Sequence, residues 1–500
     1  MPNSPVRESN YLRLLLLMGA ATVLLHLLVG NRYGFNRDEL AILDDARHLA
    51  WGYVSYPPTT PFLGRVALLL FGTSLAGFRL FSSFAQAAGV VLTGCMAKEM
   101  GGGGFAQIVS ACAAVPFCLA LGALMQYSSF DYFLWVLGAY FVVRLLSTQN
   151  PRYFVPIGLS VGLGMLTKYT MVFFAIGALA GVLFTSVRKH LRTVWPWLGL
   201  LLSLAIFTPN FLWQVRHHFV TYDFLKFIHQ RDISEGLTQS VLPNQLEMTL
   251  LCFPLWAAGL YFCLWTSQGK HFRALAWMYL VPLVLLFFAK GRDYYLAPAY
   301  PMLYAAGGVL TGQWLTGLAS TRARAVRATV AIALGMNILG SMAVALPLAP
   351  IQSHWFRLAD QINVTLRDEI GWEEFVAQLA QIRDSLPADS RAQLGILVEN
   401  YGEVGAVNLY GPAYRLPGAI SGVNSSWERG YGNLAPQTVI IVGFSQQFVD
   451  DHFTACRLIA QVSNSYGVVN EDTTERKNIY LCGPPKLGWP ALWQAFQYFA

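Results

Sequence analysis

The sequence predicts a polytopic α-helical membrane protein with a small soluble α/β domain at its C-terminus. Of its 500 residues, 55% are hydrophobic and only 12% are charged, whereas soluble chains carry about 25% charged residues. Apolar runs recur up to about residue 349, and a composition typical of soluble domains follows. A chain with so little charge cannot cover a large water-facing surface, so a soluble enzyme and a disordered scaffold are both excluded.

The apolar runs predict about eleven transmembrane helices, since a spanning helix needs about 20 apolar residues. The first run, 12–29, ends without the small residues of a signal-peptide cleavage site, so we expect a retained anchor with a cytoplasmic N-terminus. The other spans are expected at 75–97, 105–122, 129–147, 154–167, 170–187, 194–212, 244–265, 273–289, 296–315 and 325–347. With this number of spans the basic loops all face the cytoplasm, which places the C-terminus outside.

The chain divides into a predicted membrane domain, 1–349, and a predicted soluble α/β domain, 350–500, on the far side of the membrane. A long first external loop covers 30–74 and carries amphipathic helices. Within the soluble domain, 371–386 and 401–409 have helical patterns, whereas 393–400, 437–445 and 456–463 are typical of short apolar strands.

The net charge of +7 does not indicate a nucleic-acid partner, because the basic residues cluster in short loops and no nucleic-acid motif occurs. The seven cysteines lack the spacing of a structural zinc site. Cys456 and Cys482 lie in the soluble domain, where a disulfide can form outside the cytoplasm, but their spacing leaves the pairing open.

The first external loop is rich in carboxylates and aromatic residues. It carries Arg37, Asp38, Glu39, Asp44 and Asp45, followed by Tyr56 in a proline-rich turn. A solvated charged face beside the membrane would explain this density without any chemistry. The functional interpretation is a carboxylate base at the lipid–water boundary, whose pKa is set by neighbouring cations.

Several further polar residues interrupt apolar runs at the external side. These are Asp131, Lys168, Lys290 and Arg292, with Tyr294 and Tyr295 beside the last. Each alone is explained by snorkelling to the interface. Together, external cations contradict the positive-inside bias and require a local anion, for which a phosphate is the natural partner of Lys and Arg.

Three segments of the chain resemble a known family. The loop RDELAILDDARHLAWGYVSYPPTTP, with LTKYT and KGRDYYLAPAYP, resembles the bacterial branch of the C-type integral-membrane glycosyltransferases. This protein-mannosyltransferase-like family includes the aminoarabinose transferases of lipid A and the galacturonosyl transferases of lipopolysaccharide core. The resemblance extends over residues 10–347 in topology, but the tail and the span count depart from the aminoarabinose transferases, so their sugar and acceptor are not carried over.

The resemblance implies a C-type glycosyltransferase fold in the bacterial inner membrane and a sugar transfer on the periplasmic face. The donor would be a polyprenyl-phosphate-linked sugar, and the acceptor lipopolysaccharide, another glycolipid or a protein. Asp38 matches the catalytic acid of the family, which would serve as the base in an inverting reaction, and Glu39 matches its partner.

The remaining candidate residues divide into two groups. The donor phosphate is assigned to Lys168, Lys290, Arg292, Tyr294 and Tyr295. Sugar or acceptor contacts are assigned to Arg37, Tyr56 and Asp131, and in the tail to Glu399, Tyr401, Glu403, Asn424 and Trp427, for which local turn chemistry is the alternative. No cofactor is required, although a divalent metal beside Asp38 and Glu39 is compatible with the sequence.

Two other functions compete with the transferase. A transporter or flippase for lipid-linked sugars would explain the charges near the membrane, but many transporters have internal repeats, and none is visible here. A non-catalytic envelope assembly protein would use the tail as a binding module. The sequence does not name the sugar, the acceptor, the carrier length or the oligomeric state.

Overall fold

The apolar runs form a helical bundle in the computed structural model, which describes residues 5–432 and 435–500. Residues 1–4, which begin the predicted membrane domain, lie outside the described residues. The helices up to residue 345 are α1 (Pro5–Val29), α2 (Arg37–Arg47), α3 (Thr59–Phe71), α4 (Leu75–Glu99), α5 (Gly104–Gly122), α6 (Tyr127–Thr148), α7 (Phe154–Met165), α8 (Met171–Leu183), α9 (Trp195–Arg216), α10 (Val220–Ser234), α11 (Val241–Thr249), α12 (Phe253–Trp265), α13 (Arg273–Phe288), α14 (Tyr300–Thr316) and α15 (Ser320–Ala345).

The predicted membrane fold is confirmed. Among the described residues, eight helical segments are long and apolar enough to cross a membrane, or nine if α8 is joined to the 3-10 helix that follows it at a 96° bend. The spans expected at 154–167 and 296–315 are helical as α7 and α14, which have 12 and 17 residues and are shorter than these eight. Of the eleven expected spans, eight are therefore matched at full length. The span at 170–187 is matched only if the bent pair counts as one, and the other two are shorter helices.

Two helices of the first external loop lie against the bundle. The loop helix α2 begins with a capping box, in which the Asn36 side chain accepts a hydrogen bond from the helix and Glu39 accepts one from the Asn36 backbone N–H. Leu40 on α2 is fully buried, whereas Leu69 on α3 is 72% exposed. We infer that α3 presents its apolar side to lipid, as amphipathic helices at membrane surfaces do.

The tail contains the predicted α/β domain. Its helices are α16 (His354–Ile362), α17 (Trp372–Asp384), α18 (Ala388–Ala392), α19 (Tyr401–Tyr410), α20 (Gln446–His452), α21 (Glu471–Thr474) and α22 (Trp489–Gln494). Its strands are β1 (Leu394–Val398), β2 (Ala419–Ile420), β3 (Thr438–Val442), β4 (Arg457–Gln461) and β5 (Asn478–Cys482). They form one mixed sheet in the order β2-β1-β3-β5-β4, in which β1 pairs parallel with β2 and β3 while β5 runs antiparallel to β3 and β4.

The three strands and two helices expected in the tail all form. The sequence pattern missed β2 and β5, because β2 is two residues long and β5 mixes polar and apolar residues. Cys456 and Cys482, whose pairing the sequence left open, form a disulfide.

The tail and the first external loop share one hydrophobic core. Buried side chains of the loop, among them Leu40, pack in the same cluster as Val404 of α19 and Ile396 of the sheet. A Cβ on Gly405 would lie 2.4 Å from the main-chain carbonyl carbon of Leu40, so α2 and α19 cross at backbone contact. This close crossing brings the first turn of α19 to the first turn of α2.

Candidate active site

A cavity of about 500 Å³, here the main cavity, lies between α2, the 3-10 helix Asp293–Ala299 and the tail. Nine of the fifteen predicted site residues line it: Arg37, Asp38, Tyr56, Lys168, Arg292, Tyr294, Tyr295, Tyr401 and Asn424. Lining residues that sequence reasoning did not assign to a site include Tyr127, Tyr169, Arg231, Ser425 and Ser426. Residues that are far apart in the chain therefore converge on one site.

Asp38 stands in the first turn of α2 with its carboxylate held by two donors. The Tyr401 hydroxyl donates to Oδ1 at 3.0 Å, and the Gln126 amide donates to Oδ2 at 3.2 Å. The Asp38 backbone N–H in turn donates to the Asn36 side chain at 3.0 Å. Each carboxylate oxygen has two lone pairs, so both keep the capacity to accept a further proton donor.

Tyr401 comes from the tail, 363 residues after Asp38. Burial and the neighbouring Asp38 carboxylate raise the pKa of Tyr401 well above its ordinary value. The phenol therefore stays protonated at neutral pH and acts as a donor. Arg37 lies over the ring of Tyr401 at 5.9 Å and is ion-paired with Glu471 at 2.5 Å, which fixes this corner of the cavity.

Glu39 faces away from the main cavity, although it is adjacent to Asp38 in sequence. It is fully buried and ion-paired with Arg79 at 2.6 Å. It also accepts backbone N–H groups of Asn36 at 2.9 Å and Met125 at 2.8 Å, while Arg79 reaches Glu369 at 3.1 Å. The two members of the predicted catalytic pair thus occupy different environments, and Glu39 joins the loop, α4 and the start of the tail.

Lys168 lies in a cage of three tyrosines. Its Nζ is 5.2 Å from the ring centroid of Tyr127, 5.3 Å from that of Tyr294 and 4.6 Å from that of Tyr295. Nζ also contacts the Ser128 hydroxyl at 3.3 Å. The aromatic faces stabilise the ammonium through cation–π interactions, and the buried Asp131 carboxylate also interacts with it electrostatically.

Arg292 and Arg231 provide two further guanidinium groups. Asp232 holds Arg292 in a bidentate ion pair, with both N–O distances at 2.6 Å. Arg231 lines the cavity 3.8 Å from the same carboxylate, and its buried Nε has no hydrogen-bond partner among the described residues. Arg231 was not predicted from the sequence, because it lies among several charged residues on α10 and does not interrupt an apolar run.

Tyr56 and the second acidic pair of the loop form another wall. The Tyr56 hydroxyl donates to Asp45 at 2.6 Å, and Arg429 of the tail pairs with both Asp44 and Asp45. Of the four loop carboxylates, Asp44 and Asp45 are thus neutralised by a tail cation, whereas Asp38 is held by neutral donors.

Six predicted site residues lie outside the main cavity. Lys290 is exposed and adopts a φ of 48° at the end of the span, while the Asp131 carboxylate accepts the Thr170 hydroxyl at 2.9 Å. In the tail, Glu399 lies 3.6 Å from Arg476, Glu403 caps α19, and the Trp427 indole donates to the Trp493 carbonyl at 2.9 Å. Glu39 is the sixth. Local contacts account for all of these except Lys290, which is exposed.

A metal ion is not suited to the predicted Asp38–Glu39 pair, because the two carboxylates face different sides of α2. Within residues 5–432 and 435–500, no group of three or more His, Cys, Asp or Glu side chains is placed to hold a metal ion.

The chain is similar to known glycosyltransferases in sequence profile and in fold. Residues 55–213 match the family described as dolichyl-phosphate-mannose-protein mannosyltransferase. A comparison with curated proteins gives no match.

Three solved structures share the fold over most of the chain. ArnT from Cupriavidus metallidurans bound to undecaprenyl phosphate superposes with a TM-score of 0.60 at 14% identity, covering 96% of this chain and 99% of that one. Its apo state gives 0.57 at 14% identity, with 95% and 98% covered. The arabinofuranosyltransferase AftD from Mycobacteria gives 0.51 at 15% identity, with 93% and 41% covered.

The family resemblance seen in the sequence is confirmed by these comparisons. The partial match to the mannosyltransferase family and the shared fold make the chain similar to membrane-embedded glycosyltransferases of the C type, and in particular to the protein-mannosyltransferase-like branch.

Proposed function

We propose that the protein transfers a sugar from a polyprenyl-phosphate carrier to an acceptor of the bacterial envelope, with inversion at the anomeric carbon. The observation that carries this proposal is that Asp38 and the cations Lys168 and Arg231 line one cavity. Such a reaction needs a base for the attacking acceptor and positive charge for the leaving phosphate, and this cavity holds residues suited to both.

Asp38 acts as the general base. As an acceptor hydroxyl or amine attacks C1 of the donor sugar, its proton passes to a carboxylate oxygen of Asp38, whose position is set by Tyr401 and Gln126. The new bond forms at C1 while the bond from C1 to the phosphate oxygen breaks. The polyprenyl phosphate leaves with that electron pair.

The basic residues stabilise the leaving phosphate. Lys168 supplies a point charge held by aromatic rings, and Arg231 supplies a guanidinium with an unused donor. Such fixed charges favour the transition state because they are oriented before charge develops. The undecaprenyl phosphate bound to ArnT supports the assignment of this ligand class to the same fold.

For three predicted residues the proposal differs from the sequence expectation. We assign Glu39 a positioning role, because it is buried against Arg79 rather than open to substrate. We assign no donor contact to Lys290, which lies outside the main cavity. Arg292 contributes less charge than its position suggests, because Asp232 is paired with it.

We place the main cavity on the periplasmic side of the inner membrane, since basic loops predict a cytoplasmic location for the opposite ends of the spans. The tail, which supplies Tyr401, would then also be periplasmic. This topology agrees with a donor carried in the membrane.

Mass spectrometry of envelope glycolipids and glycoproteins tests the proposal. Cells that lack the protein are complemented with the wild type, Asp38→Asn or, as a matched control, Asp451→Asn, which lies exposed on α20. We expect one sugar modification to be lost and its polyprenyl-phosphate donor to accumulate with Asp38→Asn, but not with Asp451→Asn. An unchanged glycan profile in Asp38→Asn cells would favour transport or assembly instead.

A further inference from the structure

A second cavity of about 360 Å³ lies next to the main one. Gln126 lines the second cavity, and its amide donates to Asp38, which lines the main cavity. A hydrogen bond at 3.2 Å therefore links the lining of the second cavity to the proposed base. None of the functions assigned above uses this second space.

The walls of the second cavity are mainly apolar and come from two helices of the bundle. Pro116, Phe117 and Ala120 of α5 form one wall, and Ser341 and Val344 of α15 form the other. A ligand in this cavity would lie largely against side chains of the membrane spans. A sugar or a peptide backbone, which needs many hydrogen-bond partners, is poorly matched to such walls.

One end of the cavity is polar. Asn363 and Thr365 line this end, where the Thr365 hydroxyl donates to the Asn363 side chain at 2.6 Å. Glu369 also lines it and is ion-paired with Arg79. Together with Gln126, these groups give the cavity an apolar part and a polar part, and the polar part contains the side chain that contacts Asp38.

The apolar wall borders the lipid phase. Only 6% of the most apolar stretch of α15 is buried, and Ile332 and Leu339 on this helix are 61% and 65% exposed. Beyond its end, α16 exposes Leu358 and Ile362, at 60% and 66%, and Ile362 also lines the cavity. An apolar helical face that continues from a span is suited to the membrane surface, so the second cavity adjoins helix faces that are suited to lipid.

We propose that this second cavity binds the acceptor, and that the acceptor is a membrane lipid with acyl chains and a polar headgroup. The acyl part lies between α5 and α15, and the headgroup hydroxyl or amine reaches Asp38 past Gln126. The inference rests on the proposed function and narrows its acceptor to a lipid. It excludes a protein acceptor, because the walls of the second cavity are mainly apolar and adjoin the exposed apolar faces of α15 and α16.

Two substitutions fill the second cavity, and a third serves as their control. Ser341→Phe and Ala120→Phe each place a ring in it from opposite walls. Gly340→Phe adds the same ring at the adjacent position of α15, where a Cβ has no atom within 4 Å and points into open space. Ser341→Phe and Gly340→Phe thus add the same side chain at adjacent positions of one helix, and they differ in whether the ring enters the cavity.

Cells lacking the protein are complemented with each variant and with Asp38→Asn, and envelope glycolipids and glycoproteins are compared by mass spectrometry. We expect the product lost with Asp38→Asn to be a glycolipid. Both cavity-filling variants should lower it by about tenfold or more, equivalent to a loss of about 1.4 kcal/mol of acceptor binding, while Gly340→Phe retains the wild-type level. Purified Ser341→Phe protein should bind undecaprenyl phosphate as the wild type does, which verifies folding of the donor side.

The other outcomes separate the two proposals. A product that depends on Asp38 but lies in the protein fraction overturns the lipid acceptor and leaves the transferase intact. Wild-type glycolipid levels in both cavity-filling variants would show that the second cavity does not bind the acceptor, and would leave the transferase intact. Loss of undecaprenyl phosphate binding in both variants would overturn the acceptor assignment as well. An Asp38→Asn strain with unchanged glycans overturns both the proposed function and this inference.

Discussion

Removal of the Tyr401 hydroxyl tests the proposed mechanism most directly. Tyr401→Phe removes one oxygen atom and leaves the ring that packs beneath Arg37. The lost interaction is the 3.0 Å hydrogen bond to Oδ1 of Asp38. Because its acceptor is a carboxylate, such a bond contributes about 1.5–3 kcal/mol.

We expect the turnover rate of Tyr401→Phe to fall by about 10- to 150-fold, since each 1.36 kcal/mol is a factor of ten in rate. A residue that positions the base affects the chemical step, so kcat and kcat/KM should fall by the same factor while KM for the donor stays unchanged. The assay uses the full-length protein in lipid nanodiscs, with the donor and acceptor identified by the envelope comparison above.

Tyr410→Phe is the matched control, since it removes the hydroxyl of a tyrosine at the other end of the same helix, outside the main cavity. It should retain wild-type rates. Thermal unfolding of both variants verifies that the tail remains docked. If Tyr401→Phe retains the wild-type kcat in a folded protein, or raises KM alone, then Tyr401 does not position Asp38 and the reasoning is refuted.

Three further predictions concern the phosphate site, the helix crossing and the pH dependence of stability. Lys168→Met removes the caged charge and should lower kcat by about 10²- to 10³-fold, whereas Lys168→Arg should retain part of the activity; equal rates for the two variants would contradict a role for the charge. Gly405→Ala inserts a Cβ 2.4 Å from the main chain of Leu40, so it should lower the free energy of unfolding by about 1–3 kcal/mol, measured by denaturation of the purified protein. Burial raises the pKa of Asp472 from 3.8 to about 7, so the stability linked to its proton is present at low pH and is lost as the pH rises through 7. Asp472→Asn should therefore raise the unfolding temperature at pH 8 more than at pH 5, and an equal shift at both would contradict this origin.

The sequence was sufficient for the bundle because long apolar runs have few alternatives to spanning helices. It also located Asp38 and Lys168, since a charge beside an apolar run is conspicuous. Only the family resemblance assigned the base to Asp38 rather than Glu39. The pattern of charges alone does not distinguish them, because consecutive residues of a helix point about 100° apart and the surrounding packing decides which one faces the cavity.

Other parts of the site depend on tertiary packing. The contact between Tyr401 and Asp38 joins residues 363 positions apart and is set by the crossing of α2 and α19. Arg231 lies among several other charged residues on α10, so the sequence gave no reason to single it out. Lys290 had the expected charge and location, but it lies outside the cavity, with its backbone in a turn of positive φ.

The contribution of the tail to the site has a consequence for how the protein is made. Asp38 is synthesised early, but Tyr401 and Asn424 follow the last span, α15. A nascent chain therefore contains the proposed base long before the groups that complete its surroundings exist. Under the proposed function, the protein becomes competent only when the tail has folded onto the first loop, so unfinished chains in the membrane would not consume the lipid-linked sugar.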